Sequence, residues 1–237
     1  MEISAEYTGD DHAARDTDVY AHAKYRWTLR VFAKQRIPRD RRVVNIGCGA
    51  GTFSRILVES GYMVHAVEPD PAAFEIAKLT SGPRCLVENK GVFDLDPEQS
   101  YPAAVMHDVL EHIEHDRDAM ARLARIVQPG GLLIISVPAL QWLFGKHDEQ
   151  LGHFRRYTKK TMEAVIPAEF EVLDFKYFGL ISIPIVWIFS KKLRRSYPAP
   201  TSGRISPAMK IYGFVCSAET RLPEPLGTSL LVALRRK

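Results

Sequence analysis

The stretch Val43-Val44-Asn45-Ile46-Gly47-Cys48-Gly49-Ala50-Gly51 places three alternate glycines directly after a short apolar run. Apolar residues at helical spacing follow it, and Gly61 stands where that pattern ends. A strand, a glycine loop and a helix in this order open a nucleotide-binding α/β unit. Glycine suits the loop because it lets the backbone turn sharply and approach a ligand closely.

An acidic residue stands where this interpretation requires one. A second apolar run, residues 62–67, leads to Glu68, which lies 21 positions after Gly47. A carboxylate at an offset of about 20 residues meets the ribose hydroxyls of a nucleotide. The loop is G-x-G-x-G rather than the G-x-G-x-x-G of dinucleotide-binding proteins, and no G-K-[ST] lysine follows. Both features disfavour a dehydrogenase and a P-loop, and a tight turn without a ligand is the remaining alternative.

Composition and charge favour an ordinary globular domain. The chain has 237 residues, of which 46% are hydrophobic and 25% charged, as in typical globular domains. Its cysteines, Cys48, Cys85 and Cys216, are scattered and indicate neither a disulfide framework nor a zinc site, so we expect no metal. The polar, acidic start differs from a signal peptide, and we expect a cytoplasmic protein. The net charge of +4 is best explained by scattered surface lysines and arginines, and no nucleic acid partner is expected.

Strands and helices alternate along residues 43–138, which predicts a doubly wound, mostly parallel sheet. Ligands of such sheets lie beyond the carboxyl ends of the strands. The groups predicted at that edge are Gly47 to Gly51, Glu68 and Pro69, the connector near Asp94, His107-Asp108-Val109, and Pro138 onward.

The second half of the chain has a different pattern. After a predicted turn at residues 128–131, residues 139–157 form a long predicted loop that contains His147 and His153. A helix from Thr158 to about Ile166 and a loop over residues 196–207 are also predicted. Its two arginines, Arg155 and Arg156, either bind an anionic group of a ligand or pair with Glu149 or Glu163 and shape the loop. Residues 177–189 are uncharged, and a basic cluster follows them. This segment is too short to span a membrane, and predicts a buried helix, a lid over the site or a peripheral membrane contact through residues 177–195.

Four blocks of the sequence resemble the motifs of class I S-adenosylmethionine (SAM) methyltransferases that act on small molecules. These blocks are N-I-G-C-G-A-G, V-E-P-D ending the second strand, H-D-V-L-E-H-I from His107, and V-Q-P-G-G before the fifth strand. The later pattern H-D-x-x-x-G-H-x-R-R-Y-T resembles a bacterial methyltransferase subgroup of type 11/12. The resemblance implies an α/β, Rossmann-like fold with a seven-stranded sheet, an N-terminal helix, antiparallel last strands and an inserted cap between those strands.

This family pattern implies one domain over residues 1–237. Its expected parts are an N-terminal helical extension (1–42), a cofactor-binding core (43–138), a substrate loop and helix (139–169) and the cap insertion (178–225).

The resemblance also implies SAM as the cofactor, with S-adenosylhomocysteine as its product. The implied cofactor-binding residues are Arg26, Gly47, Cys48, Gly49, Gly51, Glu68, Pro69, Asp94, His107, Asp108 and Val109. Among these, Glu68 is expected to accept hydrogen bonds from the ribose hydroxyls, and Arg26 to meet the SAM carboxylate. His147 and His153 on the long loop are the catalytic candidates, with His112 as a third, because an acceptor hydroxyl benefits from a base whose pKa is near neutral. Asn45 departs from the aspartate that the family usually has there.

The function implied is methylation of an oxygen or nitrogen atom of a small-molecule acceptor, such as a glycan, a lipid-linked molecule or a secondary metabolite. One alternative is an RNA- or protein-modifying methyltransferase, although no base-methylating N-P-P-Y tetrapeptide is present. The other is a SAM-binding protein without catalysis, which Asn45 slightly favours. The sequence leaves the acceptor and the oligomeric state open.

Overall fold

A single mixed sheet organises the computed structural model, which describes residues 16–195, 206–223 and 225–237. The strands are β1 (Arg42–Ile46), β2 (Met63–Val67), β3 (Cys85–Glu88), β4 (Tyr101–His107), β5 (Val127–Pro138), β6 (Phe170–Phe178) and β7 (Ser229–Arg236). They lie in the order β3-β2-β1-β4-β5-β7-β6. The pairings β1–β2, β1–β4, β2–β3 and β4–β5 are parallel, whereas β7 runs antiparallel to both β5 and β6. The predicted fold class is confirmed.

Helices cover both faces of this sheet. They are α1 (Val19–Lys34), α2 (Thr52–Glu59), α3 (Pro71–Thr80), α4 (Asp116–Ile126), α5 (Lys146–Gln150), α6 (Lys159–Glu163), α7 (Ile183–Trp187) and α8 (Pro207–Glu219). Local sequence explains where α1 and α3 begin, because the side chains of Asp18 and Asp70 accept hydrogen bonds from first-turn amides. Helix α3 also has Pro71 at its first position, where proline's fixed φ suits a helix.

The central strands β4 and β5 are buried on both sides. Val105 and Ile134 belong to one apolar cluster, together with Trp27 of α1. Met106 and Ile135 belong to the cluster on the other face. Continuous apolar runs are what a parallel sheet covered on both faces requires, and they hold the carboxyl ends of the strands in fixed positions.

Three segments differ from the sequence predictions. Residues 128–131, predicted as a turn, belong to β5 as an irregularity, since the pairing with β4 passes from Val127 directly to Leu132. The helix predicted to continue to Ile166 ends at Glu163, and Pro167 disfavours helical geometry for the residue before it. The long loop at 139–157 contains a 3₁₀ turn (Gln141–Leu143) and α5.

The segment between β6 and β7 forms the inserted cap. A 3₁₀ turn (Leu180–Ser182), α7, a π-helical stretch (Ile188–Leu193) and α8 make up its described part. The carboxylate of Glu219 on α8 is buried and accepts hydrogen bonds from the amides of Gly179 and Leu180 at 2.7 and 3.2 Å. Among the residues that the structure describes, no helix combines the length and hydropathy needed to cross a membrane. The predicted loop at 196–207 lies largely outside the described residues, as does the polar start of the chain.

Candidate cofactor and acceptor site

The glycine loop crosses the carboxyl ends of β1 and β2. The amides of Gly47 and Cys48 both donate to the carbonyl of Val67 at 2.8 and 3.1 Å, which joins the loop to β2. A Cβ on Gly47 would lie 2.4 Å from the Val109 side chain, so only glycine fits there. Gly49 has φ +54°, and a Cβ built on it would meet no atom within 4 Å. The loop therefore presents an open concave edge at Gly49.

Glu68 closes this edge from the side of β2. Its carboxylate is buried and accepts a hydrogen bond from the Gly49 amide at 2.7 Å. The other carboxylate oxygen accepts from the amide of Asp70 at 3.0 Å. Both oxygens of the Glu68 carboxylate are therefore held by backbone amides. The structure brings together the predicted residues Gly49 and Glu68.

The connector after β3 lies beside the same edge. The side-chain amide of Asn89 donates to the carbonyls of Glu68 and Pro69 at 2.8 and 3.0 Å. Asp94 accepts from the Gly91 amide at 2.8 Å and closes a short 3₁₀ turn (Val92–Asp94). Asp94 thus shapes the connector, and Phe93 before it presents an exposed ring. Asn89, absent from the sequence-based list, is the residue that ties the connector to Pro69.

The carboxyl end of β4 carries a charged pair. Asp108 has φ +53°, a left-handed conformation that is uncommon for residues other than glycine. Its carboxylate contacts the Lys24 ammonium of α1 and accepts from the Ser136 hydroxyl, the latter at 3.1 Å. Lys24 is buried, whereas the Asp108 side chain is 27% exposed. The arrangement directs a partly exposed carboxylate toward the glycine loop's end of the sheet.

His107 is part of the packing beneath this pair. Its two ring nitrogens lie 3.0 Å from the hydroxyls of Thr28 and Ser136. The rings of Tyr25 and Phe53 lie 5.5 and 5.0 Å from its ring centroid. Burial lowers the pKa of His107 to about 3, so the imidazole is neutral at pH 7. His107 therefore supports the end of β4 as an uncharged, fully enclosed group.

Helix α1 presents Lys24, and not Arg26, to the site. The Arg26 side chain is exposed and its Nε donates to the Ser217 hydroxyl of α8 at 3.3 Å. Two positions along an α-helix correspond to about 200° around its axis, so an inward Lys24 places Arg26 outward. The structure does not bring Arg26 to the glycine loop. Lys24 and Thr28 are four residues apart on α1, so they lie on the same face of the helix, and both are buried. This spacing is the sequence feature that could have identified the face turned toward the sheet.

Cys48 of the loop and Asn45 at the end of β1 have packing roles. Cys48 is buried in the cluster beneath α1 and α2, and burial raises the pKa of its thiol. Asn45 is also buried and donates to the Ser54 hydroxyl of α2 at 2.9 Å. Asn45 thus secures the helix that follows the loop.

A buried carboxylate holds the long loop that follows β5. Asp148 accepts from Nδ1 of His153 at 2.9 Å, from Nε of Arg156 at 2.8 Å and from the Gly145 amide at 3.0 Å. Burial alone would raise the pKa of Asp148, but the bond from His153 and the charge of Arg156 lower it to about 2. The carboxylate is ionised, and it fixes the ring of His153.

The arginines of the loop make different pairs from those predicted. Arg156 pairs with Asp148, and Arg155 contacts Asp116 at 2.7 Å. The expected partners Glu149 and Glu163 are therefore wrong. Both arginines shape the loop. Arg155 and Asp116 are 39 positions apart, and no feature of the sequence indicated that pair.

The two catalytic candidates have different surroundings. His147 lies on α5 beside Asp148, and burial lowers its pKa to about 4. A base with so low a pKa gains little driving force for proton abstraction near neutral pH. His153 lies against His112, with ring centroids 4.6 Å apart. His112 belongs to the 3₁₀ turn Leu110–His112, which follows Val109 and the cofactor edge directly. His153 is thus the candidate that faces the end of β4.

Comparison with known proteins agrees with this arrangement. A family model described as "Methyltransferase domain" matches residues 16–170, well over half of the chain. The ubiquinone biosynthesis O-methyltransferase of Rhodopseudomonas palustris (strain BisB18) is 29% identical over 104 residues, which are 43% of this chain and 41% of that protein. An uncharacterized methyltransferase of Mycobacterium tuberculosis (strain ATCC 25177 / H37Ra) is 27% identical over 119 residues, 49% of this chain and 47% of its own. The chain spans less than half the length of these curated relatives.

Solved structures share the fold at low sequence identity. The N-methyltransferase NodS of Bradyrhizobium japonicum WM9, in complex with S-adenosylhomocysteine, has a TM-score of 0.54 and 15% identity, covering 83% of this chain and 78% of its own. The 1,6-didemethyltoxoflavin-N1-methyltransferase of Burkholderia thailandensis, with its substrate and S-adenosylhomocysteine, has a TM-score of 0.58 and 17% identity, covering 91% and 78%.

The sheet order and the glycine loop facing an acidic residue define a class I methyltransferase architecture. The family match adds the remaining evidence, and this chain belongs to the methyltransferase-domain family of SAM-dependent enzymes.

Proposed function

We propose that this enzyme transfers the methyl group of SAM to an oxygen or nitrogen atom of a small-molecule acceptor. A glycan, a lipid-linked molecule or a secondary metabolite is the proposed class of acceptor. The observation that carries the proposal is the contact between the Glu68 carboxylate and the Gly49 amide, beside open space at Gly49. A nucleoside fits such an edge because backbone amides and a diol acceptor stand side by side.

The residues of the chain fit SAM on three sides. Glu68 is proposed to accept from the ribose hydroxyls, with the connector at Phe93 and Asp94 beside the adenine. Gly47, Gly49 and Gly51 allow the loop backbone to approach the cofactor. Asp108 offers a carboxylate to the cofactor's ammonium group, and Lys24 holds that carboxylate in place. When bound, SAM supplies an electrophilic methyl group on a sulfonium.

Most of the catalytic effect is assigned to positioning. Holding an acceptor atom at attack distance replaces a bimolecular encounter and contributes several kcal/mol, up to about 11. His107 is buried and neutral, and it packs against the rings of Tyr25 and Phe53. We propose that this packing keeps water away from the buried side of Asp108. His153, fixed by Asp148, is proposed to face the acceptor, whereas His147 is assigned to packing of the loop.

Calorimetric titration with S-adenosylhomocysteine tests the cofactor assignment, with NAD as the comparator. We expect micromolar binding of S-adenosylhomocysteine, its loss in Gly49→Arg, and weaker binding in Glu68→Ala. Gly130→Arg is the matched control, because Gly130 also has a positive φ and open space, at the opposite end of the sheet. Glu75→Ala is the control for Glu68, since Glu75 pairs only with the exposed Lys78 on α3 among the described ion pairs.

Folded protein that binds NAD and not S-adenosylhomocysteine would sink the proposal in favour of a dehydrogenase. Turnover with candidate acceptors then separates an enzyme from a SAM-binding protein without catalysis. Asn45 slightly favoured a SAM-binding protein without catalysis. That support is weakened, because the Asn45 side chain is hydrogen-bonded to Ser54 inside the domain.

The cap supports a proposed contact with an anionic lipid surface through residues 177–195. Ile181, Ile185 and Ile188, spaced as one helical face, are 44%, 53% and 41% exposed. The cations Lys191, Lys192, Arg194 and Arg195 follow within seven residues of Ile188. An exposed apolar face bordered by cations is complementary to acidic head groups over acyl chains.

Sedimentation with vesicles of phosphatidylglycerol and of phosphatidylcholine tests this contact. We expect binding to the anionic vesicles only, reduced about fivefold in Ile185→Glu, which removes one partly exposed apolar side chain. Leu79→Glu is the control, because Leu79 is 87% exposed on α3, outside this face. Equal sedimentation of both variants would contradict the proposal.

A further inference from the structure

Two imidazoles and a carboxylate converge just after β4. Glu111 and His112 lie on the 3₁₀ turn Leu110–His112, and His153 lies on the loop after α5. The potential ligand atoms of these three residues all lie within 4.8 Å of one another. Glu111 is fully buried, and the side chain of His153 is 7% exposed. His112 is partly exposed, so the cluster is a largely buried site with one accessible side rather than a surface group of charges.

The backbone holds the two parts of the cluster together. The amide of Phe154 donates to the carbonyl of Glu111 at 2.8 Å. The rings of His112 and His153 meet edge to face at an interplanar angle of 85°. His153 thus reaches Glu111 and His112 through a docked loop.

A second carboxylate orients His153. Nδ1 of His153 lies 2.9 Å from Oδ1 of Asp148, and an ionised carboxylate can only accept. The proton of the neutral imidazole therefore resides on Nδ1, which leaves the lone pair on Nε2. Metal-binding histidines almost always donate their other ring N–H to a carboxylate, a backbone carbonyl or water, which fixes the tautomer and raises the basicity of the ligand. Arg156 and the Gly145 amide hold Asp148 in turn.

We propose that Glu111, His112 and His153 bind a divalent transition-metal ion of the zinc class, with Asp148 as the outer carboxylate. Two imidazoles and one carboxylate suit borderline cations, and three protein ligands leave a coordination position open. Among the three proposed ligands, only Glu111 is negatively charged. The cation offsets this charge in a largely buried site. The scattered cysteines indicated no metal, because this ligand set contains no cysteine.

The open coordination position of the proposed metal would lie on the proposed acceptor side. The turn that carries Glu111 and His112 begins directly after Val109, the residue packed on Gly47. An acceptor hydroxyl in that position would ionise at lower pH, which favours an oxygen acceptor over an amine. This consequence rests on the proposed function, whereas the binding of the metal does not.

Calorimetric titration of the chelator-treated full chain with zinc chloride tests the site. We expect one zinc ion per chain, with an affinity loss in His112→Gln and His153→Gln that exceeds the about 10–100-fold cost of an outer-ligand change. His115→Gln is the matched control, since His115 is an exposed histidine three positions from His112. With cobalt chloride as the probe, the wild-type protein should show visible absorption bands that both ligand variants lose.

S-adenosylhomocysteine titration of the same samples separates the two proposals. Variants that keep S-adenosylhomocysteine binding are folded, so their loss of zinc supports the metal site. Wild-type protein that binds S-adenosylhomocysteine and no zinc, or equal zinc binding by wild type and His112→Gln, overturns the metal site and leaves the proposed function intact. Zinc binding without S-adenosylhomocysteine binding overturns the cofactor assignment alone.

Discussion

The proposed cofactor side, formed by the glycine loop with Glu68 and Asp108, and the proposed acceptor side, formed by residues 145–156, are held by different kinds of groups. On the cofactor side, loop amides and one carboxylate form the contact, as in the 2.7 Å bond from Gly49 to Glu68. On the acceptor side, the fully buried Asp148 holds His153 and Arg156 through side-chain hydrogen bonds. A glycine loop tolerates much variation in the side chains around it, whereas a buried ionic cluster depends on each of its members. The acceptor side should therefore be the less tolerant of substitution in terms of stability.

The largest expected effect follows from removing the acceptor-side carboxylate. Asp148→Ala leaves the buried guanidinium of Arg156 with only the Ala139 carbonyl, at 3.4 Å, among its described side-chain partners. Breaking a buried pair in this way costs about 3–5 kcal/mol of unfolding free energy. Urea denaturation measures the change. Glu149→Ala is the control, because its pair with Lys146 is exposed and contributes about 0–1 kcal/mol. A loss below about 1 kcal/mol for Asp148→Ala would show that the two sides are equally tolerant.

The next effect concerns pH and the cofactor side. The folded pKa of His107 is about 3, against an ordinary value of 6.5. Below pH 6.5 the unfolded chain binds a proton that the folded chain does not, so stability is full above pH 6.5 and falls toward pH 3. The slope is about 1.4 kcal/mol per pH unit. His107→Gln should remove that slope, amounting to about 2 kcal/mol between pH 6 and 4.5.

Urea denaturation across this pH range checks the expectation, with His115→Gln as the exposed control. His65 and His147 have lowered pKa values as well, so the difference between wild type and His107→Gln isolates one residue. On the acceptor side, the contribution of Asp148 to stability depends on pH in a lower range. The pKa of Asp148 is lowered to about 2 from 3.8, and its stabilisation is lost only as the pH falls through that interval. Parallel slopes for wild type and His107→Gln would contradict the enclosed, neutral His107.

The two sides also differ in what the sequence could predict. Glu68 was predictable because its distance from the glycine loop is fixed by one helix and one strand, which are local structures. Lys24 was not, since it meets Asp108 across 84 positions and only the rotation of α1 decides which basic residue faces inward. The pairs of Arg155 and Arg156 likewise depend on how the loop folds over α4 and α5. The parallel, doubly wound character of the sheet followed from the alternation of strands and helices, whereas α6 ends at Glu163, earlier than its apolar pattern predicted.

The smallest expected effect tests whether α1 contributes to the cofactor side through Lys24 alone. Lys24→Met removes the ammonium that holds Asp108, and a charge-assisted hydrogen bond contributes about 1.5–3 kcal/mol. Because the Asp108 side chain is partly exposed and water replaces part of this contact, we expect S-adenosylhomocysteine to bind about tenfold more weakly, which corresponds to about 1.4 kcal/mol. Arg26→Met is the matched control from the same helix and should bind as wild type does. If Arg26→Met loses affinity and Lys24→Met keeps it, Arg26 and not Lys24 is the cation of α1 that serves the cofactor.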